Sequence, residues 1–313
     1  MSESVKEIHQ KVFSAEFNEF CKKQFSKDMM ALEEERKKAL LCVALIVSVV
    51  TIVFLVVFLF SFQRTTYEEN TAIFSIYIAL LTLVHIPICK YKKNSKTKIM
   101  PKLLAFVGDF KIVYDSQKRT QIHKYVKTLS LFDTFNSFSM DDVLEGVYNG
   151  INVSVSEMCL KYKYKSKKNK NEKIVFKGVM LSFKSFKKFS SKTLIKKDCI
   201  KIFQDSRHVN LEDVEFERLY DVESEDQIEA RYLITPAFMN RMVEYSKINQ
   251  AERLSVSFEY GNVNIAIHNT KDWFDIPIFT PATEISIYSG VLLDLVAVLK
   301  IIDALKMEQN IGM

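Results

Sequence analysis

Glycine and proline are scarce in this chain, with seven and five in 313 residues. So few turn formers exclude an all-turn β architecture and a low-complexity chain. Cysteine is scarce too, and Cys21, Cys42, Cys89, Cys159 and Cys199 stand far apart with no CxxC pair. Two of them lie in uncharged apolar runs, which argues against a disulfide framework or a zinc site and for a reducing compartment. His9, His85, His123, His208 and His268 show no ligand spacing. There is no GxGxxG, no P-loop, no HExxH and no GxSxG, and glycine-poor loops offer no phosphate cradle. The expectation is no cofactor, no metal and no assignable catalytic residue. What is abundant is apolar side chains, 48% of the chain, which excludes wholesale disorder.

Charge is missing from one early region. Residues 39–63, "ALLCVALIVSVVTIVFLVVFLFSFQ", carry none. That length suffices to cross a hydrocarbon core of about 30 Å at about 1.5 Å per residue. A second uncharged run, 71–89, is shorter and contains Pro87. The connector "RTTYEEN" between them is short, so the two form an antiparallel transmembrane hairpin. A long charged segment precedes the first run, which excludes a cleavable signal peptide. Arg36, Lys37 and Lys38 precede the first run, and Lys90, Lys92, Lys93, Lys96, Lys98 and Lys102 follow the second. By the positive-inside rule both termini are cytoplasmic, in a multi-pass protein of the cell inner membrane. His85 lies near the lysine-rich end of its span and reads as an interfacial side chain rather than a proton site. Pro87 reads as a kink at the end of a helix.

Residues 3–38 place Val5, Ile8, Val12, Phe17, Phe20, Phe25, Met29 and Leu32 on one face of a cytoplasmic amphipathic helix. That face needs a partner: the C-terminal domain, a second copy or the membrane surface. Residues 90–140 form a basic juxtamembrane and helical connector, with Pro101 opening a helix. From 141 to 313 the pattern changes. Alternation around Asn149-Gly150 predicts a hairpin. "EKIVFKGVMLSFKSF" and "KTLIKKDCIKIF" read as further strands, and a second hairpin flanks Gly261-Asn262. "SGVLLDLVAVLKIIDAL" is a long helix that must be buried. The fold class is α+β: a mainly antiparallel sheet with a long C-terminal helix, behind a two-helix membrane hairpin.

Several stretches carry a family resemblance. They are "SLF" at 130–132, "DDVLEGVYNGINVSVSE" at 141–157, "VFKGVMLSF" at 175–183, "FERLYDVESEDQIEARYLITPAFMNRM" at 216–242 and "GNVNIAI" at 261–267. In these the chain resembles the bacterial membrane proteins of the domain-of-unknown-function 3137 family. The resemblance implies a double transmembrane hairpin followed by a cytoplasmic domain, and it implies no reaction.

Two charge clusters remain. Nine acids fall between Glu212 and Glu229. Within them Asp226 is placed to cap a short helix, and Glu229, three residues on, completes the capping-box pattern. Thr235 and Pro236 repeat the logic for the next helix, and Arg231 and Arg241 are positioned to reach carboxylates. The opposite charge lies at 161–173, where Lys161, Lys163, Lys165, Lys167, Lys168 and Lys170 interleave with Tyr162 and Tyr164. These lysines suit a solvated hairpin tip or anionic lipid head groups. Nucleic acid is disfavoured, because the patch lacks arginine and any recognition motif. The function expected is a membrane-anchored interaction or scaffold module, with a protein partner or self-association. The alternative is a membrane-bound metal-dependent hydrolase or transferase using the acidic 212–229 segment.

Overall fold

A computed structural model describes residues 12, 14–61, 67–107, 110–113, 116–165, 170–197, 207–248 and 253–305. The start of the amphipathic helix, part of the 64–70 connector, Lys167, Lys168 and the 198–203 end of one expected strand lie outside the described residues. The chain divides into two compact units, one of residues 13–103 with 275–291, the other of residues 1–12, 104–274 and 292–313.

The first unit is helical. The amphipathic segment and the first apolar run are one continuous helix, α1 (Ala15–Ser61), because nothing between them breaks the backbone ladder. Phe17, Cys21, Phe25, Met29 and Leu32 are buried along its first half, one turn apart on a single stripe. Farther along, Leu41, Leu45, Val49, Ile52, Val56 and Phe60 are all exposed. The second run forms α2 (Tyr67–Leu81), a 3-10 turn (Thr82–Val84) and α3 (His85–Val107). The 3-10 turn has a cause. Pro87 supplies no N–H and its ring crowds the carbonyl four residues back, at Leu83, so the ladder tightens there. Pro101 does not open a helix as expected but sits inside α3. Phe54 packs at a tilt against Tyr77, 4.3 Å between ring centroids, which pairs α1 with α2.

Polar contacts tie the charged half of this unit together. The Glu33 carboxylate accepts from Arg36 Nε and Nη2 and from the Ala282 amide, while Arg36 Nη1 donates to the Ile278 carbonyl. Lys98 pairs with Glu35, Lys102 with Asp28 and Lys92 with Asp275. Tyr288 packs edge-on to Phe25 and donates to the Ala282 carbonyl at 2.5 Å. Burial pushes the Cys21 thiol up to about 12, so it stays protonated and unreactive.

The second unit is built on an eight-stranded antiparallel sheet. Its strands are β1 (Lys111–Ile112), β2 (Ser137–Tyr148), β3 (Ile151–Lys165), β4 (Lys170–Lys184), β5 (Thr193–Lys197), β6 (Tyr220–Ser224), β7 (Arg253–Glu259) and β8 (Asn262–His268). They lie in the order β1-β2-β3-β4-β8-β7-β5-β6. Asn149 and Gly150 turn β2 into β3 with φ of 49° and 77°, the left-handed pair of a type I′ hairpin. The second hairpin turns on Tyr260-Gly261, one residue earlier than expected, and Asn262 already pairs with Glu259.

Alternation assigns the two faces of the sheet. One face carries Met158, Leu160, Phe176, Met180, Leu194 and Ala266, packed against Val126, Leu129 and Leu131. Val126 belongs to α4 (Ser116–Thr128). The other face carries the row Leu144, Val155, Leu181, Ile265 and Val256, all buried. Against it lie α7 (Pro236–Ile248), with Phe238 edge-on to Phe258, and residues 292–305 of α8 (Ile285–Leu305), where Asp303 accepts from the Tyr148 hydroxyl at 2.8 Å. Two short helices, α5 (Val214–Leu219) and α6 (Gln227–Leu233), flank β6.

Candidate functional site

Much of the acidic segment is spent on backbone amides, and part of it on ion pairs. Asp213 caps α5 by accepting from the Glu215 and Phe216 amides, and Glu217 accepts from the Leu211 amide. Glu215 pairs with Lys247, and Asp221 with His208. Asp226 Oδ1 accepts from the Ile228 and Glu229 amides at 2.8 and 3.1 Å, at the positive end of α6. Thr235 Oγ1 accepts from the Phe238 amide at 3.3 Å, and Pro236 is the first residue of α7.

Glu229 and Arg231 go elsewhere than the local pattern implies, and Arg241 follows them. Glu229 does not turn back to the Asp226 amide, which donates instead to Ser224 Oγ. The Glu229 carboxylate accepts from the Ser190 and Ser191 amides at 2.8 and 2.7 Å and from Ser191 Oγ. Burial pushes the Glu229 carboxyl pKa up, but these bonds, Ser191 Oγ foremost, outweigh it and hold it below the usual value. Among the described residues Arg231 reaches no carboxylate; its guanidinium donates to the Gln227 and Asn210 carbonyls, both at 3.2 Å. Arg241 likewise donates to the Leu305 carbonyl. The reason is common to both corrections: the loops carrying Ser190 and Asn210 offer backbone partners that no spacing along the helix reveals.

The lysine stretch lies at the free end of the β3–β4 hairpin. Lys161, Lys163 and Lys165 fall on one face of β3, opposite Ile174, Glu172 and Lys170 of β4. Tyr162 and Tyr164 occupy the other face, exposed, with ring centroids 6.3 Å apart.

The fold also gathers polar groups that no motif announces. The β2–β3 pairing passes from Met140↔Met158 to Val143↔Ser156, so Asp141 and Asp142 together oppose Glu157. This is a β-bulge, and it re-aims both carboxylates. Oxygens of Asp141, Asp142 and Glu157 lie within 4.8 Å of one another, with Asp142 and Glu157 buried. Glu157 also accepts from the Trp273 amide at 2.9 Å. Such an oxygen set suits a hard divalent cation by chemistry. The signal in the sequence was positional only, since Asp141, Asp142 and Glu157 end the stretch 141–157 that carries the resemblance.

A second gathering lies on the α4 side of the sheet. An open groove of about 630 Å³ is lined by Glu145, Asn152, Ser154, Ser182, Lys184 and Asn262 among others. Its floor continues into a buried network. Ser182 Oγ and the Tyr125 hydroxyl both donate to Asn264 Oδ1, at 2.8 and 3.0 Å, and Asn264 Nδ2 donates to Ser257 Oγ. At the end of β7, Glu259 is buried and accepts from the Ser130 amide at 3.1 Å. Burial pushes its carboxyl pKa up, and the Ser130 amide only partly offsets that. This network fixes the Tyr125 hydroxyl and satisfies each buried polar group it contains.

With these positions fixed, comparison with known proteins adds the following. Residues 174–307 match the family model described as protein of unknown function (DUF3137). No curated protein matches the chain. Among solved structures, that of the mycobacterial trehalose monomycolate transport factor A, TtfA, is similar at 12% identity with a TM-score of 0.32, over 61% of this chain and 88% of its own.

Proposed function

Residues 174–307 match the DUF3137 family model, and from that premise we propose a membrane-anchored interaction module with a cytoplasmic sheet domain. One observation carries the reading. Among the described residues three helical stretches are long and apolar enough to cross a membrane, yet they differ in burial. The most apolar window of α8 is 61% buried, whereas those of α1 and of the α2–α3 stretch are 0% buried. A stripe of exposed Leu, Ile, Val and Phe side chains in water would cost about 25 cal/mol per Å² of apolar surface, and hydrocarbon removes that cost. The two exposed helices are therefore the spans, and α8 is a core helix.

Lysines and arginines flanking both apolar stretches support a topology with the termini on the cytoplasmic face of the inner membrane and the 64–70 connector outside. The role follows from the anchoring: the sheet domain presents its surface to a protein partner, or to a second copy, next to the bilayer. Resistance to carbonate extraction and impermeant-thiol labelling of single cysteines placed in the connector and at each terminus test the topology. Labelling of the termini from the outside would overturn it. Crosslinking in intact membranes tests the role, and a strictly monomeric, partner-free protein would overturn that.

A further inference from the structure

We propose that the free end of the β3–β4 hairpin is a second membrane contact, an arm that inserts tyrosine rings among anionic lipid head groups. This rests on the reading of the chain as membrane-anchored.

The arm is a structural feature of its own. On one flank, β2 ends its pairing at Ser137↔Lys161, and Asn136 extends it by one step, its side chain bonding both the Lys163 amide and the Lys163 carbonyl. On the other flank, β8 ends at Gly178↔His268. Beyond these points, apart from one bond from the Asn269 amide to the Lys177 carbonyl, β3 and β4 pair among the described residues only with each other, through Tyr164↔Asn171 and Lys165↔Lys170. A two-stranded ribbon held by cross-strand pairs alone is marginal in water, and this one exposes apolar surface as well. Tyr162, Tyr164 and Ile174 are 41, 46 and 51% exposed.

The charge states the partner. Residues 161–173 hold seven lysines against one glutamate, a net charge matching the +6 of the entire chain. Lys161 is tied to Glu172 at 2.5 Å, and Lys163 lies directly across the ribbon from the same residue, so a single acid serves all the lysines of this stretch. Tyrosine places an apolar ring and a polar hydroxyl at the boundary between acyl chains and head groups, and lysine stems extend alongside to phosphates. Ile174 adds an aliphatic side chain that hydrocarbon accepts and a phosphodiester backbone does not need. An anchored chain keeps this arm at high effective concentration beside a bilayer, so a weak contact suffices.

The test uses the full-length protein in nanodiscs and a tryptophan reporter, since the one native tryptophan, Trp273, is 3% exposed. Tyr164→Trp should be quenched by brominated phosphatidylglycerol, and not by brominated phosphatidylcholine. Quenching should fall roughly five-fold in binding constant for each lysine removed at low salt, as with Lys163→Ser and Lys173→Ser. A Phe58→Trp variant, in the apolar half of α1, reports the anchor separately: quenched in both lipids if that helix spans, and unquenched if the anchoring reading fails. Phe58→Trp quenched while Tyr164→Trp is unquenched in the anionic disc overturns the arm proposal alone. Lysine-dependent binding of a single-stranded oligonucleotide to the Tyr164→Trp protein, with no lipid quenching, would overturn it in favour of nucleic acid.

Discussion

The Glu229 carboxylate holds the Ser190 and Ser191 amides at 2.8 and 2.7 Å, joining α6 to the turn before β5 across 38 residues of chain. A charged residue inside an acid-rich stretch thus serves as a structural anchor for a loop. Removing it strands the partly buried Ser191 amide and leaves the exposed Ser190 amide to water.

Glu229→Ala should destabilise the protein by about 2–3 kcal/mol, because unsatisfied amides keep their desolvation penalty. Glu229→Gln, which keeps an acceptor oxygen, should recover part of it. Chemical denaturation in detergent measures both, and an unchanged midpoint for the alanine variant would contradict the anchor role.

Glu33 governs an acid transition in the helical unit. The Arg36 guanidinium, with help from the Ala282 amide, lowers its carboxyl from 4.5 to about 2. A depressed folded-state value stabilises the fold above the ordinary pKa and loses that contribution as pH falls through the folded one. Stability should therefore drop by roughly 3 kcal/mol between about pH 5 and pH 2 through this group. Glu33→Gln should flatten that part of the curve, which thermal denaturation across the acid range would show.

Glu259 should act with the opposite sign. Burial raises its carboxyl pKa, so its contribution is full below the ordinary value and is lost as pH rises through the raised one. Glu259→Gln cannot ionise and escapes that loss. Relative to the parent protein it should gain stability as pH moves from acid to neutral. A difference between the two proteins that stays constant with pH would refute this.

Gly178 and Gly290 make a matched pair. Gly178 has φ of +149°, and a Cβ there would lie 2.0 Å from the Ile267 carbonyl oxygen, in the β4–β8 pairing. A Cβ on Gly290, within α8, would meet nothing within 4 Å. Gly178→Ala should lose roughly 3 kcal/mol, and Gly290→Ala should gain about 0.5–1 kcal/mol through helix propensity. Denaturation midpoints that shifted in the same direction would contradict the argument.

Much of this architecture is local and therefore legible in the chain itself. Asn149-Gly150 demands left-handed backbone, Asp226 and Thr235 precede helices as capping residues do, and the uncharged runs are long and apolar enough to cross a membrane. Pro101 shows the limit of such reading. Proline favours a first turn, yet a helix already held by packed side chains such as Ile99, Met100 and Leu103 continues through it. Glu229 shows another: spacing of three residues suits a capping box, but Ser190 and Ser191 compete for the same carboxylate and win.

By itself the sequence determined the apolar helices, the hairpin turns, the alternation that makes strands, and the clustering of lysines and acids, since each depends on neighbours within a few residues. Tertiary structure alone decided what is far apart in the chain. It set the strand order β4-β8-β7-β5, the return of residues 275–291 to the helical unit, the convergence of Asp141, Asp142 and Glu157 on one bulge, and the length of the β3–β4 ribbon that extends past its neighbouring strands. The physical reason is that burial and pairing reward whichever distant partner fills the space, and no local propensity encodes that choice.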